Sequence, residues 1–246
     1  RPTFEITFNP VEEAFCLGDT VDVTGNVKAY NGTAIQDVPL TYTVTRRSNR
    51  RYWGDGAVSL VSDTVQLDAK GNFSIPVVLK PDTDADNTGR ERFSYQIEVA
   101  VTSDTGETQT SHYFLNATRR AYFFVSDISR DLCKEDSISG MLSVMNAVNE
   151  TLSMEGMCRL YPVLDSKTGK ISDKPVYESA FMSGEKKDFT AWKQLPSGEY
   201  RLILSVRGRD GKEVSNADNA VNIVLFSLKD ERPAVFMETF LYEKNT

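Results

Sequence analysis

The chain holds one histidine, His112, and three cysteines in 246 residues. Any Ser-His-Asp or Cys-His catalytic set would have to use that one imidazole. No Gly-x-Ser-x-Gly elbow is present, and no cysteine has a local nucleophile context. One His and three scattered Cys give no ligand-pair spacing for zinc, so no catalytic, cofactor-binding or metal residue is assigned. Three cysteines are also too few, and odd in number, for a disulfide framework. Cys133 and Cys158 can pair, but buried free thiols acting as small hydrophobes are the expected state. No run of about 18 apolar residues occurs, so no membrane-spanning helix is expected. The net charge of −7 argues against a nucleic-acid partner, which calls for clustered Lys and Arg. Amphipathic helix is missing too: the best candidate, residues 141–157, is interrupted by Asn146, Asn149 and Gly156. The opening Arg1-Pro2-Thr3-Phe4 carries no initiator Met and no apolar signal region, as expected of a trimmed or mature segment.

What is present is a period of two. Hydrophobic residues make up 40% and charged residues 26%, enough to bury a core and too apolar for a disordered chain. Val21, Val23 and Val27 alternate with polar neighbours, as do Leu40, Tyr42 and Val44. Phe93, Tyr95, Ile97, Val99 and Val101 form the cleanest run, and Leu202, Leu204 and Val206 a later one. Such alternation marks strands with one face on a core and one in water. Turn signals separate the runs at Asn31-Gly32, Lys70-Gly71-Asn72, Thr105-Gly106, Pro196-Ser197-Gly198 and Asp210-Gly211. Many short strands with regular turns predict an all-β chain of antiparallel β-sandwich type.

The pattern occurs twice. Cys16-Leu17-Gly18-Asp19-Thr20-Val21 resembles Cys133-Lys134-Glu135-Asp136-Ser137-Ile138, each leading into a strand that reaches Gly25 or Gly140. Asn31-Gly32-Thr33 matches Asn149-Glu150-Thr151. Later, Tyr95, Ile97, Val99, Val101 and Gly106 match Tyr200, Leu202, Leu204, Val206 and Gly211. The spacing is 117 or 118 positions early and 105 late, close to the length of one immunoglobulin-like sandwich. Two tandem immunoglobulin-like domains are expected, 1–118 and 119–232, with the boundary between Asn116 and Arg120. Residues 233–246 read as a linker or the first strand of a further, truncated domain. The shrinking offset predicts extra loop in the first copy, within residues 46–56 or 81–92.

Four features invite a functional reading. His112 follows the strand ending near Val101 and is expected as a polar, loop-associated side chain. Asp82-Thr83-Asp84-Ala85-Asp86 offers hard oxygen ligands for calcium. Asn87 stands where a loop of that type needs Gly, however, and Phe93 where it needs Glu, so a solvated loop is expected. Arg46-Arg47-Ser48-Asn49-Arg50-Arg51, followed by Tyr52-Trp53, is the most unusual run. It suits a protease target or an acidic or nucleic-acid partner, but a long hairpin tip whose Trp53 packs back is expected. Asn31, Asn72, Asn116 and Asn149 lie in Asn-x-Ser/Thr sequons, which matter only in a eukaryotic secreted protein.

Arg1-Pro2-Thr3-Phe4-Glu5-Ile6, Leu17-Gly18-Asp19-Thr20-Val21, Gly25-Asn26-Val27-Lys28-Ala29-Tyr30 and Val38-Pro39-Leu40 resemble the bacterial alpha-2-macroglobulin family, in its large Bacteroidetes-type versions. The stretch from Tyr95 to Thr108 is similar to the closing strands of one macroglobulin domain. Leu195-Pro196-Ser197-Gly198-Glu199-Tyr200 with Asp210-Gly211 is similar to the end of the next. The resemblance covers nearly the whole chain and implies macroglobulin domains from the N-terminal half of a protease trap. Such domains are scaffold, without enzyme activity or cofactor. The implied partners are other domains of the same parent chain, with proteases as targets of the whole protein. The implied location is extracytoplasmic, in the periplasm or as a membrane-anchored lipoprotein of a Gram-negative bacterium. The family's thioester motif, Gly-Cys-Gly-Glu-Gln, does not occur: Gly106-Glu107-Thr108-Gln109 lacks the cysteine. The bait belongs to a later domain, so residues 46–51 are not carried over as one. The alternative is a carbohydrate-binding or adhesin-type module, with Tyr52, Trp53 and Trp192 exposed as stacking platforms.

Overall fold

Alternation along each strand decides which side meets the core, and the computed structural model carries this through residues 2–48, 57–81, 92–218 and 224–231, the part of the chain described here. The described chain is all-β. Its only helical elements are two short 3-10 turns, Thr190–Gln194 and Asn216–Asp218. It divides into two compact units. The first comprises Arg1–Val125 with Ser143–Ser153, and the second Ser126–Leu142 with Met154–Thr246.

The first seven strands are β1 (Phe4–Phe8), β2 (Thr20–Ala29), β3 (Pro39–Ser48), β4 (Ala57–Gln66), β5 (Asn72–Val78), β6 (Arg92–Thr102) and β7 (Thr108–Thr118). They form two antiparallel sheets, ordered β1-β2-β5 and β4-β3-β6-β7. The fourth strand therefore pairs with the third, not with the fifth as in immunoglobulin constant domains. Every residue of the expected alternating runs points inward. Val21, Val23, Val27, Leu40, Tyr95, Ile97, Val99 and Val101 are fully buried, and Tyr42, Val44 and Phe93 nearly so. Gly25 takes an inward place on β2 because the Phe73 ring fills it. A Cβ there would lie 2.3 Å from the ring and 2.2 Å from the Thr7 carbonyl.

The remaining strands are β8 (Phe123–Ser126), β9 (Asp131–Cys133), β10 (Ser139–Met145), β11 (Glu155–Asp165), β12 (Lys170–Ile171), β13 (Tyr177–Met182), β14 (Lys186–Asp188), β15 (Gly198–Arg207), β16 (Glu213–Ser215) and β17 (Val224–Lys229). The first sheet is ordered β8-β10-β14. The second runs β12-β11-β15-β17-β9, with β13 on β11 and β16 on β15. The first sheet of each set thus joins the first, second and fifth main strands, counting β8, β10, β11, β13, β14, β15 and β17 as the counterparts of β1 to β7. The parallel addition of β9 to β17 also has a rudiment earlier in the chain. Lys134 N donates to Lys229 O at 2.9 Å, and Leu17 N to Thr118 O at 2.8 Å.

Register makes the repeat exact at single residues. The bridges Lys28–Ala34 and Met145–Thr151 lie 117 positions apart at both ends. Gly32 N donates to Ala29 O, and Asn149 N to Asn146 O. The counterpart of Asn149 is therefore Gly32 and not Asn31, one position from the expected pairing. Backbone conformation explains this, since Gly32 (φ 91°) and Asn149 (φ 67°) both occupy the left-handed region where Gly and Asn are favoured. Gly25 and Gly140 are not counterparts either; at this spacing Gly25 matches Leu142.

The same comparison locates the extra residues. Val44 faces Val61 and Ile97, while Leu160 faces Tyr177 and Leu202. The spacing is therefore 116 on both the third and fourth strands, and the link between them is equally long in each copy. Residues 46–56 hold no net insertion. Val21 faces Val77, and the Ile138 carbonyl accepts from Phe189 N, so the spacing is 112 by the end of the fifth strand. It is 105 at the sixth, where the turn bonds Gly106 N to Ser103 O and Gly211 N to Gly208 O coincide. Seven of the extra residues therefore fall between β5 and β6, in the 81–92 candidate. Four fall between the fourth strand and the end of the fifth.

Candidate functional site

The chemistry-bearing side chains are dispersed. His112 lies inside β7, not in a loop, exposed on the outer face opposite Glu98. Its ring approaches that of Phe114 edge-on at 6.3 Å. The loop expectation failed because Thr108–Thr118 contains few inward apolar residues before Leu115, so its alternation is faint. Cys16, Cys133 and Cys158 are all free thiols. Cys16 and Cys133 open equivalent turns, each accepting at its carbonyl the amide three residues on, from Asp19 and Asp136. Cys158 is fully buried with its Sγ 3.1 Å from the Ser179 carbonyl, and burial pushes its thiol pKa up. A raised pKa leaves little thiolate, the form that reacts.

The Asp82–Asp86 run and residues 49–53, with Tyr52 and Trp53, lie outside the described residues. Arg46, the first residue of the basic run, is described and is not a surface charge. It is buried, and its Nη1 donates to the carbonyls of Lys80 (3.1 Å) and Pro81 (2.7 Å). Its guanidinium also sits 5.5 Å from the Phe93 ring centroid, within cation–π range. The signal was available: Arg46 continues the inward phase of Leu40, Tyr42 and Val44.

Trp192 corrects the expectation of an exposed stacking platform. It is fully buried, packed against Phe189 (4.3 Å), Phe226 (4.9 Å, 8° between planes) and, edge-on, Tyr177 (5.8 Å). It is the aromatic centre of the second unit's core, and its Nε1 has no hydrogen-bond partner. Beside it Tyr200 donates its hydroxyl to Pro196 O at 2.6 Å. That is a tyrosine corner, a hydroxyl at the start of the sixth strand bonded a few residues upstream. Tyr95, its counterpart, donates to Lys80 O at 2.8 Å.

The most developed polar constellation is centred on Arg159 of β11. Its Nε meets Glu178 of β13 at 2.7 Å, and its Nη1 meets Glu213 of β16 at 2.7 Å and the Ser205 hydroxyl at 2.9 Å. Glu213 is held below the usual carboxylate range by Ser205 and then Arg159, and Arg159 is raised by Glu213 and then Glu178. The group borders an open depression of roughly 420 Å3 with Glu155, Met157 and Arg207 on its walls. The cluster sets two carboxylates against one guanidinium, with the Ser205 hydroxyl bonded to both Arg159 and Glu213. Its physical effect is to tie β11, β13, β15 and β16 together on their outer face. Exposed pairs of this kind contribute about 0–1 kcal/mol. Among the described residues no three His, Cys, Asp or Glu side chains gather as a metal would need. No helix there is long and apolar enough to cross a membrane.

No family model matches the chain, and no curated protein matches it in sequence. Solved structures resemble it in part. The native conformation of Escherichia coli alpha-2-macroglobulin aligns with 94% of this chain and 16% of its own, at 10% identity and a TM-score of 0.41. Salmonella alpha-2-macroglobulin reacted with methylamine aligns with 92% of this chain and 17% of its own, at 12% identity and 0.41. A tetra-tandem repeat from the extending region of a large adhesion protein covers 93% of this chain and 49% of its own, at 10% identity and 0.29. The chain spans about a sixth of the length of the alpha-2-macroglobulins it matches.

Proposed function

We propose that this chain is a non-catalytic scaffold segment of an alpha-2-macroglobulin-like endopeptidase inhibitor. Two macroglobulin-type sandwiches, 1–118 and 119–232, act as spacers between other domains of one parent chain, and proteases are targets of that whole protein. The observation that supports this best is the register-level repeat, joined to the Arg-Pro-x-Phe-Glu and Leu-Pro-Ser-Gly-Glu-Tyr resemblances. Arg46 and Tyr95 bond the Lys80–Pro81 carbonyls, and Tyr200 bonds Pro196, each within its own copy. A spacer needs such internal satisfaction and no convergent polar pocket. An extracytoplasmic site, periplasmic or lipoprotein-anchored, belongs to the same reading.

The test uses trypsin and elastase with a protein substrate and a small peptide substrate. The segment alone is expected to leave both activities unchanged. The parent chain is expected to protect the protein substrate while sparing the small one, as physical trapping requires, and to lose this when residues 1–232 are excised. Protection that survives the excision, or inhibition by the segment alone, would overturn the proposal. Glycan-array binding that is lost on Trp53→Ala would favour the carbohydrate-binding reading instead.

A further inference from the structure

Asn146, in the turn between β10 and β11, is 1% exposed, and its side chain is engaged at both ends. Nδ2 donates to Val11 O at 2.6 Å and to Glu13 O at 3.0 Å. Oδ1 accepts Val148 N at 3.1 Å and Glu150 N at 3.0 Å. Those carbonyls belong to the irregular stretch between β1 and β2, where no strand partner can satisfy them. Unpartnered buried carbonyls are costly, so this stretch needs an outside donor. The stretch is otherwise held by Val11 N, which donates to the Tyr113 hydroxyl at 3.4 Å, and Tyr113 stacks on Phe8 at 5.3 Å. Ala147 is buried in the core of the first unit, and Val148 packs against it. At the equivalent turn of the first copy the position of Asn146 is Ala29, which has no side-chain donor. The device is therefore particular to the second turn and is not inherited from the repeat.

We infer that residues 143–153 are a folding element of the first unit, clasped by Asn146, so that this unit is incomplete until the chain has passed Ser153. The division of the chain agrees: it leaves the first unit after Val125 and re-enters it for Ser143–Ser153. The inference does not depend on the proposed scaffold role. It concerns which residues open together, since stability within a protein is organised in cooperative segments.

Hydrogen exchange on the full chain tests it. In the unmodified protein the amides of residues 146–152 are expected to share the protection of β2, β3 and β6. Protection that instead tracks β13 and β15 under rising denaturant would overturn the inference. Two variants separate clasping from turn-making. Asn146→Ala removes both functions, whereas Asn146→Asp keeps acceptors for Val148 N and Glu150 N but cannot donate to Val11 or Glu13. Both are expected to raise exchange at residues 9–17 and 143–153 at least tenfold, with little change in β13 and β15. If Asn146→Asp exchanges like the unmodified protein, the side chain only shapes its own turn and the clasp is refuted. Should Asn146→Ala fail to fold, the aspartate variant and the unmodified protein still decide the matter.

Discussion

Replacing Trp192 separates two contributions that oppose one another. The indole is fully buried among Phe189, Phe226 and Tyr177, yet its N–H has no partner. Trp192→Ala removes the whole ring and should cost about 3–5 kcal/mol, in the range of large-to-small aromatic truncations. That is a large share of the roughly 5–15 kcal/mol by which domains are stable. Trp192→Phe keeps a ring in the stack. The void it leaves, on the order of 40 Å3 at ~24 cal/mol per Å3, costs about 1 kcal/mol. Lost apolar burial of about 40 Å2 at ~25 cal/mol per Å2 costs about 1 kcal/mol more. Against this, deleting an unsatisfied buried donor returns about 1–3 kcal/mol. The two nearly cancel, so Trp192→Phe should lie within about 1 kcal/mol of the unmodified protein, a shift of no more than ~4–8 °C in Tm. Urea unfolding followed by far-UV circular dichroism measures both variants, because it does not depend on the lost fluorophore. A Trp192→Phe cost of about 3 kcal/mol or more would refute the reasoning, since it would mean that the indole N–H is bonded.

Other predictions follow from exposure, charge and backbone. Ellman's reagent should modify Cys16, the only partly exposed thiol, ahead of Cys133 and Cys158; three thiols should titrate after denaturation without reductant, and finding one would mean that Cys133 and Cys158 pair. Asp68, Glu107, Asp165, Asp188, Glu213 and Asp230 are held below their ordinary pKa, chiefly by hydrogen bonds from Asn72, Thr3, Thr168, Thr190, Ser205 and Lys134. A lowered folded pKa stabilises above the unfolded value and is lost as pH falls through the folded one, so Tm should hold from pH 7 to 5 and drop below about pH 4; a flat profile to pH 3 would contradict these bonds. Asn149→Gly should be neutral or stabilise by up to about 1 kcal/mol, while Gly32→Val should cost about 1–2 kcal/mol, because both positions require a left-handed backbone. Equal tolerance of valine and glycine at position 32 would remove the equivalence drawn between the two turns.

The inward phase of the strands was legible because it repeats every second residue, and a buried face imposes that period locally. The same rule, carried one step further along β3, would have placed Arg46 inside; charge hid it, since a buried guanidinium is rare without paired carbonyls to receive it. Trp192 was misread for a different reason. It sits in the short 3-10 turn Thr190–Gln194, where no alternation marks the inner side. Asn146 was beyond local reading altogether. Its partners Val11 and Glu13 lie more than a hundred positions away, and an Asn in a turn looks alike whether it is solvated or clasped. The tyrosine corner occupied an intermediate place: Leu195-Pro196-Ser197-Gly198-Glu199-Tyr200 was visible as a family-like string, but its hydroxyl bond becomes evident only in three dimensions.

That bond explains how the first copy carries its longer connection. In the second copy the hydroxyl of Tyr200 reaches back four positions, to Pro196; in the first, Tyr95 reaches back fifteen, to Lys80. Both therefore fix the start of the sixth strand to the chain leaving the fifth, and the added residues fall inside the closed loop. Lengthening a loop from four to fifteen positions costs about 1 kcal/mol in closure entropy, comparable to what one hydrogen bond contributes, about 0.5–1.5 kcal/mol. Arg46 adds two further bonds to the same Lys80–Pro81 carbonyls, so the base of the loop is held three times over. Tyr95→Phe alone should then be nearly silent in the first unit. Arg46→Met, which removes both Nη1 bonds and leaves Lys80 O only the Tyr95 hydroxyl, should destabilise it by about 1–3 kcal/mol. Tyr200→Phe should cost more than Tyr95→Phe, because among the described residues no arginine side chain donates to the Pro196 carbonyl as Arg46 does to Lys80 and Pro81. The reverse order in urea unfolding would show that the corner, and not the arginine, closes the longer loop.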